Sequence, residues 1–380
     1  MRRRVPGRVF VDATAIPAER GGVGRYVDDL LPALAAQGVD LVVGCQARDG
    51  AAFAELLPGA EIIPAPAAIE RRPVRMAWEQ SILPLLVRST RSAVLHSPHY
   101  TMPRFAGVPV VVTLHDATFF SHPELHTPLK ARFFRSAIRT AVHRADALVV
   151  PSGATGAEVR RFVGGRDELF HVAFHGVDSA VFHAVDAAEQ ERVRATLGLT
   201  GREYVAFLGT LEPRKNVPAL IRGWARAVAD QADPPALVLA GGRGWDEAVD
   251  PAIAAVPPGL TVLRPGYLPL ADLPGFLSGA RVLAYPSLGE GFGLPVLEAM
   301  ACGAAVLTTR ELSLTEVGGD AVAYCDTDDA SIGDELRALL ADDARRAELS
   351  AAAIERAAEF TWEAAATVHI EAFEAAQRRA

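Results

Sequence analysis

The residue types best suited to chemistry fall in one stretch, Tyr285-Pro-Ser-Leu-Gly-Glu-Gly-Phe-Gly-Leu-Pro-Val-Leu-Glu-Ala-Met-Ala-Cys-Gly303. It holds two acids, Glu290 and Glu298, with seven residues between them. The apolar run 282–285 before them reads as a buried parallel strand. A glycine-spaced turn follows, from Gly289 to Gly293. Residues 294–300 then read as a helix, with Pro295 in its first turn, where a missing N–H costs nothing. Strand, glycine turn and helix N-terminus make a cradle for a phosphate-bearing ligand. Glu290 precedes the helix and Glu298 lies about two turns into it. Both can face one crevice at different depths, one at the reacting end of an extended ligand and one at its far end. The plainer alternative is a surface turn followed by a solvated helix acid. The flanking glycines and apolar residues speak against it.

These residues must be positioned by a chain of 380 residues, half of them apolar, which is enough for two cores. No run approaches the length of a spanning helix. Met1-Arg-Arg-Arg4 is basic, but without an apolar segment or cleavage site it does not read as a secretory signal. Cys45, Cys302 and Cys325 are isolated and fit reduced, buried thiols, so the expected location is the cytoplasm. The net charge of −8 is uneven: +4 up to residue 185 and −12 beyond it. An acidic chain without a basic aromatic motif is a poor nucleic-acid binder. The basic N-terminal half could still face a phosphorylated acceptor or an anionic bilayer.

Along the chain, the strand 9–12 leads through Gly21-Gly-Val-Gly24 to a helix expected over 25–37. Further strands are expected at 41–44, 61–64, 93–96, 108–114, 147–151 and 170–174, with 78–88 helical between them. Such alternation implies a parallel sheet with helices on both faces. The strand 108–114 ends in His115-Asp116, and ligands of open parallel sheets bind outside the carboxyl ends of strands. His96 and His99 end another strand in the same way. Residues 130–144 form a basic helix with Arg132, Arg135 and Arg139 on one face. This is either an ordinary amphipathic helix or a peripheral membrane contact. After Thr200-Gly-Arg202 a second series begins, with strands at 204–208, 236–240, 260–263, 282–285, 305–308 and 321–324. The tail, 334–376, reads as helical with a break near Phe360-Thr361-Trp362.

The stretch around Glu290 and Glu298 resembles the E-x7-E signature of retaining, nucleotide-sugar-dependent glycosyltransferases, family 4-like or group 1, of GT-B architecture. The likeness continues in Gly209-Thr-Leu-Glu-Pro-Arg-Lys-Asn216 and in 303–316, and covers nearly the whole chain in layout. It implies an α/β fold of two Rossmann-like parallel-sheet domains facing across a cleft. The first would be the acceptor-side domain, 1–185, with a C-terminal helix, 362–380, crossing back onto it. The second, 186–361, would bind the nucleotide-sugar donor. By the same resemblance Glu290 would hold hydroxyls of the donor sugar and Glu298 the ribose. Gly291, Phe292, Gly293 and Leu294 would offer backbone N–H groups to sugar or phosphate. His115 would lie beside the donor sugar, Gly21 and Gly22 would face its phosphates, and Arg264 and Pro265 would lie near the base.

Departure of a nucleoside diphosphate builds charge on the bridging phosphate oxygen. Arg214 and Lys215, in the turn after the strand 204–208, are suited to stabilise it. Thr210 stands where many members of the family carry an arginine, which leaves open whether Arg214 or a hydrogen bond from Thr210 replaces it. Asp326-Thr-Asp328 matches a metal-binding pattern but follows a late strand in an acidic loop, so no metal or other cofactor is expected. The expected reaction is retaining transfer of a hexose, with GDP-mannose as the donor guess, to a glycan, lipid-linked or small-molecule acceptor. A catalytically inactive nucleotide-sugar-binding homologue is the alternative, and intact Glu290, Lys215 and His115 argue against it. A phosphorylase or epimerase of similar architecture is a third reading. A pyridoxal-dependent phosphorylase would need a Schiff-base lysine, and neither Lys130 nor Lys215 stands in such a context.

Overall fold

In each half, strands of three to six residues, most of them continuous apolar runs, recur between helical segments. A strand buried on both faces needs such a continuous apolar run, and a parallel neighbour needs a helical crossover. The computed structural model describes residues 7–17 and 20–379, so the basic segment Met1–Arg4 lies outside the described residues, as does Ala380. The chain forms two units, Met1–Gly176 with Thr361–Ala380, and Val177–Phe360. The sequence boundary at 185/186 thus falls inside the second unit. The turn at His175-Gly-Val-Asp178 is where the chain leaves the first.

The first unit contains β1 (Val9–Asp12), β2 (Leu41–Gln46), β3 (Glu61–Ala65), β4 (Val94–Ser97), β5 (Val110–Thr113), β6 (Ala147–Val150) and β7 (Phe170–Val172). They form an all-parallel sheet in the order β3-β2-β1-β4-β5-β6-β7. Alternate residues point to opposite faces. Val9 and Val11 therefore join one apolar cluster with the helices Gly22–Ala36 and Trp362–Arg379, while Phe10 joins another on the far side. The last helix docks on this sheet through Ala366, Ile370 and Phe373.

The second unit contains β8 (Tyr204–Leu208), β9 (Ala236–Ala240), β10 (Val262–Gly266), β11 (Val282–Tyr285), β12 (Val306–Thr309) and β13 (Ala323–Cys325). Their order is β10-β9-β8-β11-β12-β13, again all parallel. Both sheets reverse their winding at the centre, between β1 and β4 and between β8 and β11. The loops after those strands flank the crevice where open α/β sheets take ligands.

Several expected boundaries move, for identifiable reasons. The first helix starts at Gly22 rather than 25, because packing of Tyr26, Val27 and Leu30 outweighs the poor helix propensity of its glycines. The helix expected over 78–88 is two, Arg72–Ser81 and Leu83–Ser89, with Pro84 in the first turn of the second. A proline there supplies no N–H to the preceding turn and crowds its carbonyl, which favours a break at Ile82. The tail is three helices rather than two, Asp329–Ala341, Asp343–Ala357 and Trp362–Arg379. The unforeseen break is at Asp342, whose carboxylate caps the second by accepting from Arg345 N.

Candidate active site

Three loops at the carboxyl edge of the second sheet build the centre of the site. The loop after β9 lies against the loop after β8. Leu211 N donates to the Gly242 carbonyl (2.9 Å) and Asp246 N to the Leu211 carbonyl (3.2 Å). The approach is close enough to demand glycine. A Cβ on Gly241, at φ +126°, would lie 2.2 Å from the Gly209 oxygen, and one on Gly244 2.0 Å from the Leu211 oxygen. The loop after β8 then turns through Pro213–Lys215 and ends at Asn216, which adopts the left-handed conformation (φ 56°) before the helix Val217–Ala227.

The loop after β11 is stitched to it. Leu288 N donates to the Arg214 carbonyl (2.8 Å), and Arg214 Nη1 donates to the Gly289 carbonyl (2.7 Å). From the other side, Thr309 Oγ1 donates to the Ser287 carbonyl (2.6 Å), and Ser313 Oγ lies 2.8 and 2.9 Å from the carbonyls of Glu290 and Phe292. Gly293, at φ 106°, then opens the helix Leu294–Ala301.

These constraints converge on the Glu290 carboxylate, which is almost fully buried. Oε1 accepts from Lys215 Nζ (2.7 Å), with Ser287 Oγ at 2.6 Å and Tyr285 OH at 3.1 Å, and Oε2 pairs with Arg214. Arg214 is braced in turn by Glu212 (2.7 Å), and Lys215 also donates to Tyr285 OH. Burial alone would raise the carboxyl pKa of Glu290, but Arg214 and Lys215 outweigh it and hold the value at about 2. Burial, and then Arg214, pull the Lys215 ammonium below its ordinary value against the opposing pull of Glu290. Burial and the nearby Glu290 charge push the Tyr285 phenol well up, so it stays a donor. A carboxylate offers about four lone-pair sites. Three donors crowd Oε1 and Arg214 holds Oε2, so a substrate hydroxyl that binds at Oε1 must displace one of these partners.

The other candidates in this unit stand as follows. Glu298 is buried in the helix Leu294–Ala301, behind the glycine turn. Gly291, Phe292, Gly293 and Leu294 are buried at the start of that helix. Thr210 is half-buried in the loop after β8, upstream of the basic pair. The expected strand 260–263 is shifted, so Arg264 and Pro265 lie within edge strand β10 rather than after it. Arg264 is exposed and pairs with Asp250. Asp328 caps the helix Asp329–Ala341 by accepting from Ala330 N (3.0 Å) and Ser331 N (2.9 Å), so this acid is a helix cap rather than merely solvated.

In the first unit, His115 lies just past β5 and its Nε2 is 2.7 Å from the Pro98 carbonyl. The carbonyl can only accept, so Nε2 carries the proton. Burial lowers the His115 pKa against the pull of that carbonyl. At neutral pH the ring is therefore uncharged and presents Nδ1 as an acceptor. Tyr26 meets it edge-on, with ring centroids 5.0 Å apart. Gly21 caps the helix Gly22–Ala36, and both Gly21 and Gly22 are exposed at its first turn. A helix N-terminus with exposed N–H groups suits an anion. His96 is fully buried, with Nε2 2.9 Å from Thr113 Oγ1, and belongs to the interior rather than to the strand-end surface.

Residues 20–181 match the family model described as Glycosyltransferase Family 4, and residues 189–356 the one described as Glycosyl transferases group 1. The O-antigen chain mannosyltransferase B of Escherichia coli is 30% identical over 306 residues, which cover 79% of this chain and 77% of that protein. The chain belongs to the group 1 glycosyltransferases. The D-inositol 3-phosphate glycosyltransferase of an Arthrobacter species is 27% identical across 94% of the chain and 91% of its own length. Among solved structures, Anabaena HepE in complex with UDP and glucose superposes with a TM-score of 0.76 at 18% identity, covering 96% of this chain and 98% of that one. Sucrose-phosphate synthase from Thermosynechococcus elongatus gives 0.78 at 20% identity, with 95% and 96% covered. The fold of this glycosyltransferase is GT-B.

Sequence reasoning singled out Glu290, Arg214 and Lys215 for separate tasks; the structure pairs them and adds a shell that the sequence reading missed. Tyr285 and Ser287 stand inside the quoted motif, and Glu212 inside the other. A buried tyrosine and serine at a strand end beside an acid are a usable signal, since buried polar groups need partners. Ser313 and Thr309 carry no such signal.

Proposed function

We propose that this glycosyltransferase moves a hexose from a nucleoside diphosphate sugar to a hydroxyl acceptor, with retention of configuration. The supporting observation is the pairing of Arg214 and Lys215 beside the glycine turn that opens the helix Leu294–Ala301. Breaking the bond between the anomeric carbon and the bridging oxygen leaves an electron pair on the diphosphate. Two fixed cations and a helix N-terminus answer that charge. In this reading the diphosphate takes over Lys215 and Arg214 from Glu290, and the released carboxylate receives hydroxyls of the sugar. Glu298 holds the ribose, and backbone N–H groups from Gly291 to Leu294 serve sugar or phosphate. His115, uncharged, accepts from a donor hydroxyl. A phosphate oxygen takes the acceptor's proton.

GDP-mannose is the donor we favour, because the Escherichia coli relative that matches most of the chain is a mannosyltransferase. The location we assign is the cytosolic side. The test is a thermal-shift panel of nucleoside diphosphates, followed by release of the diphosphate from GDP-mannose and UDP-glucose. A ligand at a hundredfold its Kd stabilises by about 2.7 kcal/mol. GDP should raise the melting temperature more than UDP. A larger shift with UDP would overturn the donor, and none with any nucleoside diphosphate would overturn the reading.

Two further outcomes are expected. Glu298→Ala should weaken nucleoside diphosphate binding roughly ten- to a hundredfold, since a charge-assisted hydrogen bond is worth ~1.5–3 kcal/mol. The loss is shared by ground and transition states, so KM rises and kcat changes little. Steady-state kinetics with calorimetric titration decide it, and a kcat loss at unchanged affinity would count against the ribose contact. Transfer should also proceed without a divalent ion, because Arg214 and Lys215 supply the charge a metal would bring. Loss of turnover in EDTA, restored by Mg²⁺ or Mn²⁺, would refute this.

A further inference from the structure

The helix Pro128–Arg144 carries Lys130, Arg132, Arg135, Arg139 and Arg144 and no acid. Its inner side, Ala131, Ile138, Ala141 and Val142, is buried in the first unit. Its outer side does not look like an ordinary solvated face. Leu129 is 81% and Phe133 39% exposed, four residues apart and therefore in one row, which continues through exposed Ser136 and His143. On one flank of that row Arg132, Arg135 and Arg139 line a depression of about 540 Å³ together with one acid, Glu124. Two of the three guanidinium groups are held in place. Arg135 and Arg139 lie 5.5 and 5.2 Å from the Phe120 ring centroid, and Arg135 Nε donates to the Phe119 carbonyl (2.6 Å). Among the described residues Arg132, Arg135 and Arg139 form no ion pair. The other flank has Arg144 over Phe105, 5.3 Å from the ring centroid, beside exposed Arg104. Phe105 is itself 79% exposed.

Single exposed apolar side chains are normal on a protein surface. Here Leu129 and Phe133 stand between two groups of arginines that form no ion pair among the described residues, and Phe105 lies under one of those groups. We propose that this face docks on an anionic phospholipid bilayer. Headgroup phosphates enter the depression at Arg132, Arg135 and Arg139, and Leu129, Phe133 and Phe105 reach the acyl boundary. A soluble phosphate would need the depression alone and would leave the apolar row without a use. The proposal concerns where the enzyme sits and is independent of which sugar it transfers.

The experiment is co-sedimentation of the full chain with phosphatidylcholine vesicles, with and without about a third phosphatidylglycerol, at low and high salt. Binding to the anionic vesicles, weakened by salt, is expected. Each arginine removed near an anionic surface weakens partition roughly fivefold, so Arg132→Gln with Arg139→Gln should weaken it about 25-fold. Leu129→Ser, at a site too exposed to affect folding, should weaken it as well. All variants should keep the wild-type melting temperature and nucleoside diphosphate affinity. Equal sedimentation with neutral vesicles, or wild-type binding by the double arginine variant, would overturn the proposal. So would vesicle binding that Leu129→Ser leaves intact and millimolar inorganic phosphate abolishes, since that marks a soluble phosphate site.

Discussion

Lys215→Met and Glu290→Gln are expected to remove most of the turnover while moving nucleoside diphosphate affinity in opposite directions. Lys215 Nζ sits 2.7 Å from Glu290 Oε1, so the carboxylate already occupies the cation that the diphosphate requires. Without Lys215 the phosphate loses one charged donor, and affinity should fall roughly ten- to a hundredfold. Turnover should fall further, on the order of 10²–10³, because the charge that develops on the leaving oxygen loses a fixed partner. Without the Glu290 charge, Arg214 and Lys215 both face the diphosphate unopposed, and its affinity should rise several-fold. Transfer is still lost, because no carboxylate then orients the sugar. Removing one partner of a buried ion pair costs about 3–5 kcal/mol, so Glu290→Gln should melt early and regain more from the nucleoside diphosphate than wild type does. Calorimetric titration, thermal shift and steady-state rates on both variants test this together. A fall in affinity of the same size in both would sink the competition between carboxylate and phosphate.

That competition shows where sequence reasoning stops. The strand, glycine turn and helix around Glu290 were legible because each is a local pattern with its own physical signature. Arg214 and Lys215 were legible because a basic pair at a strand end has few structural uses. Their direct pairing with Glu290 was not. It depends on the loops after β8 and β11 being neighbours, which follows from strand order rather than from spacing. Boundaries failed where packing overrode propensity, as at Gly22, or where an edge strand ran on through Arg264 and Pro265. The least legible feature is the interior of the first unit. Tyr26 OH lies 2.7 Å from His369 Nε2, a pair separated by 343 positions. No local pattern links them. Only closure of the last helix onto the first sheet brings them together.

That interior should make the unit formed by residues 1–176 and 361–380 unfold in mild acid, before residues 177–360 do. His369 Nδ1 lies 2.7 Å from the Ala365 carbonyl and so carries the proton there, leaving Nε2 to accept from Tyr26 OH. Tyr26 in turn lies 2.9 Å from Thr113 Oγ1, which lies 2.9 Å from His96 Nε2. The chain works with neutral rings. Burial lowers the pKa of His369 from 6.5 to about 4 and holds His96 and His175 well below 6.5. The folded pKa is depressed in each case, so the unfolded chain takes up the proton first. Stability is therefore full above pH 6.5 and falls as pH drops from 6.5 through about 4. For His369 alone this amounts to about 3 kcal/mol, at ~1.4 kcal/mol per pKa unit; His96 and His175 act in the same direction, while Asp12, Asp28 and Glu79, whose carboxyl pKa burial raises, act against them. A domain holds only about 5–15 kcal/mol in total. In residues 177–360 the buried carboxyl with a depressed pKa is Glu290, whose contribution is full above about pH 4.5 and fades as pH falls through about 2; exposed Glu189, lowered by its hydrogen bond with Arg192, acts in the same direction. Calorimetric scans from neutral pH downward should thus resolve an early transition that moves down between pH 6.5 and 4, where the histidines outweigh the three carboxyls, and a later one that holds until stronger acid. His369→Gln removes one proton site and should flatten the early slope by about 1.4 kcal/mol per pH unit. A midpoint that does not move between pH 7 and 5, or a slope that His369→Gln leaves unchanged, would show that the buried histidines do not set the acid limit.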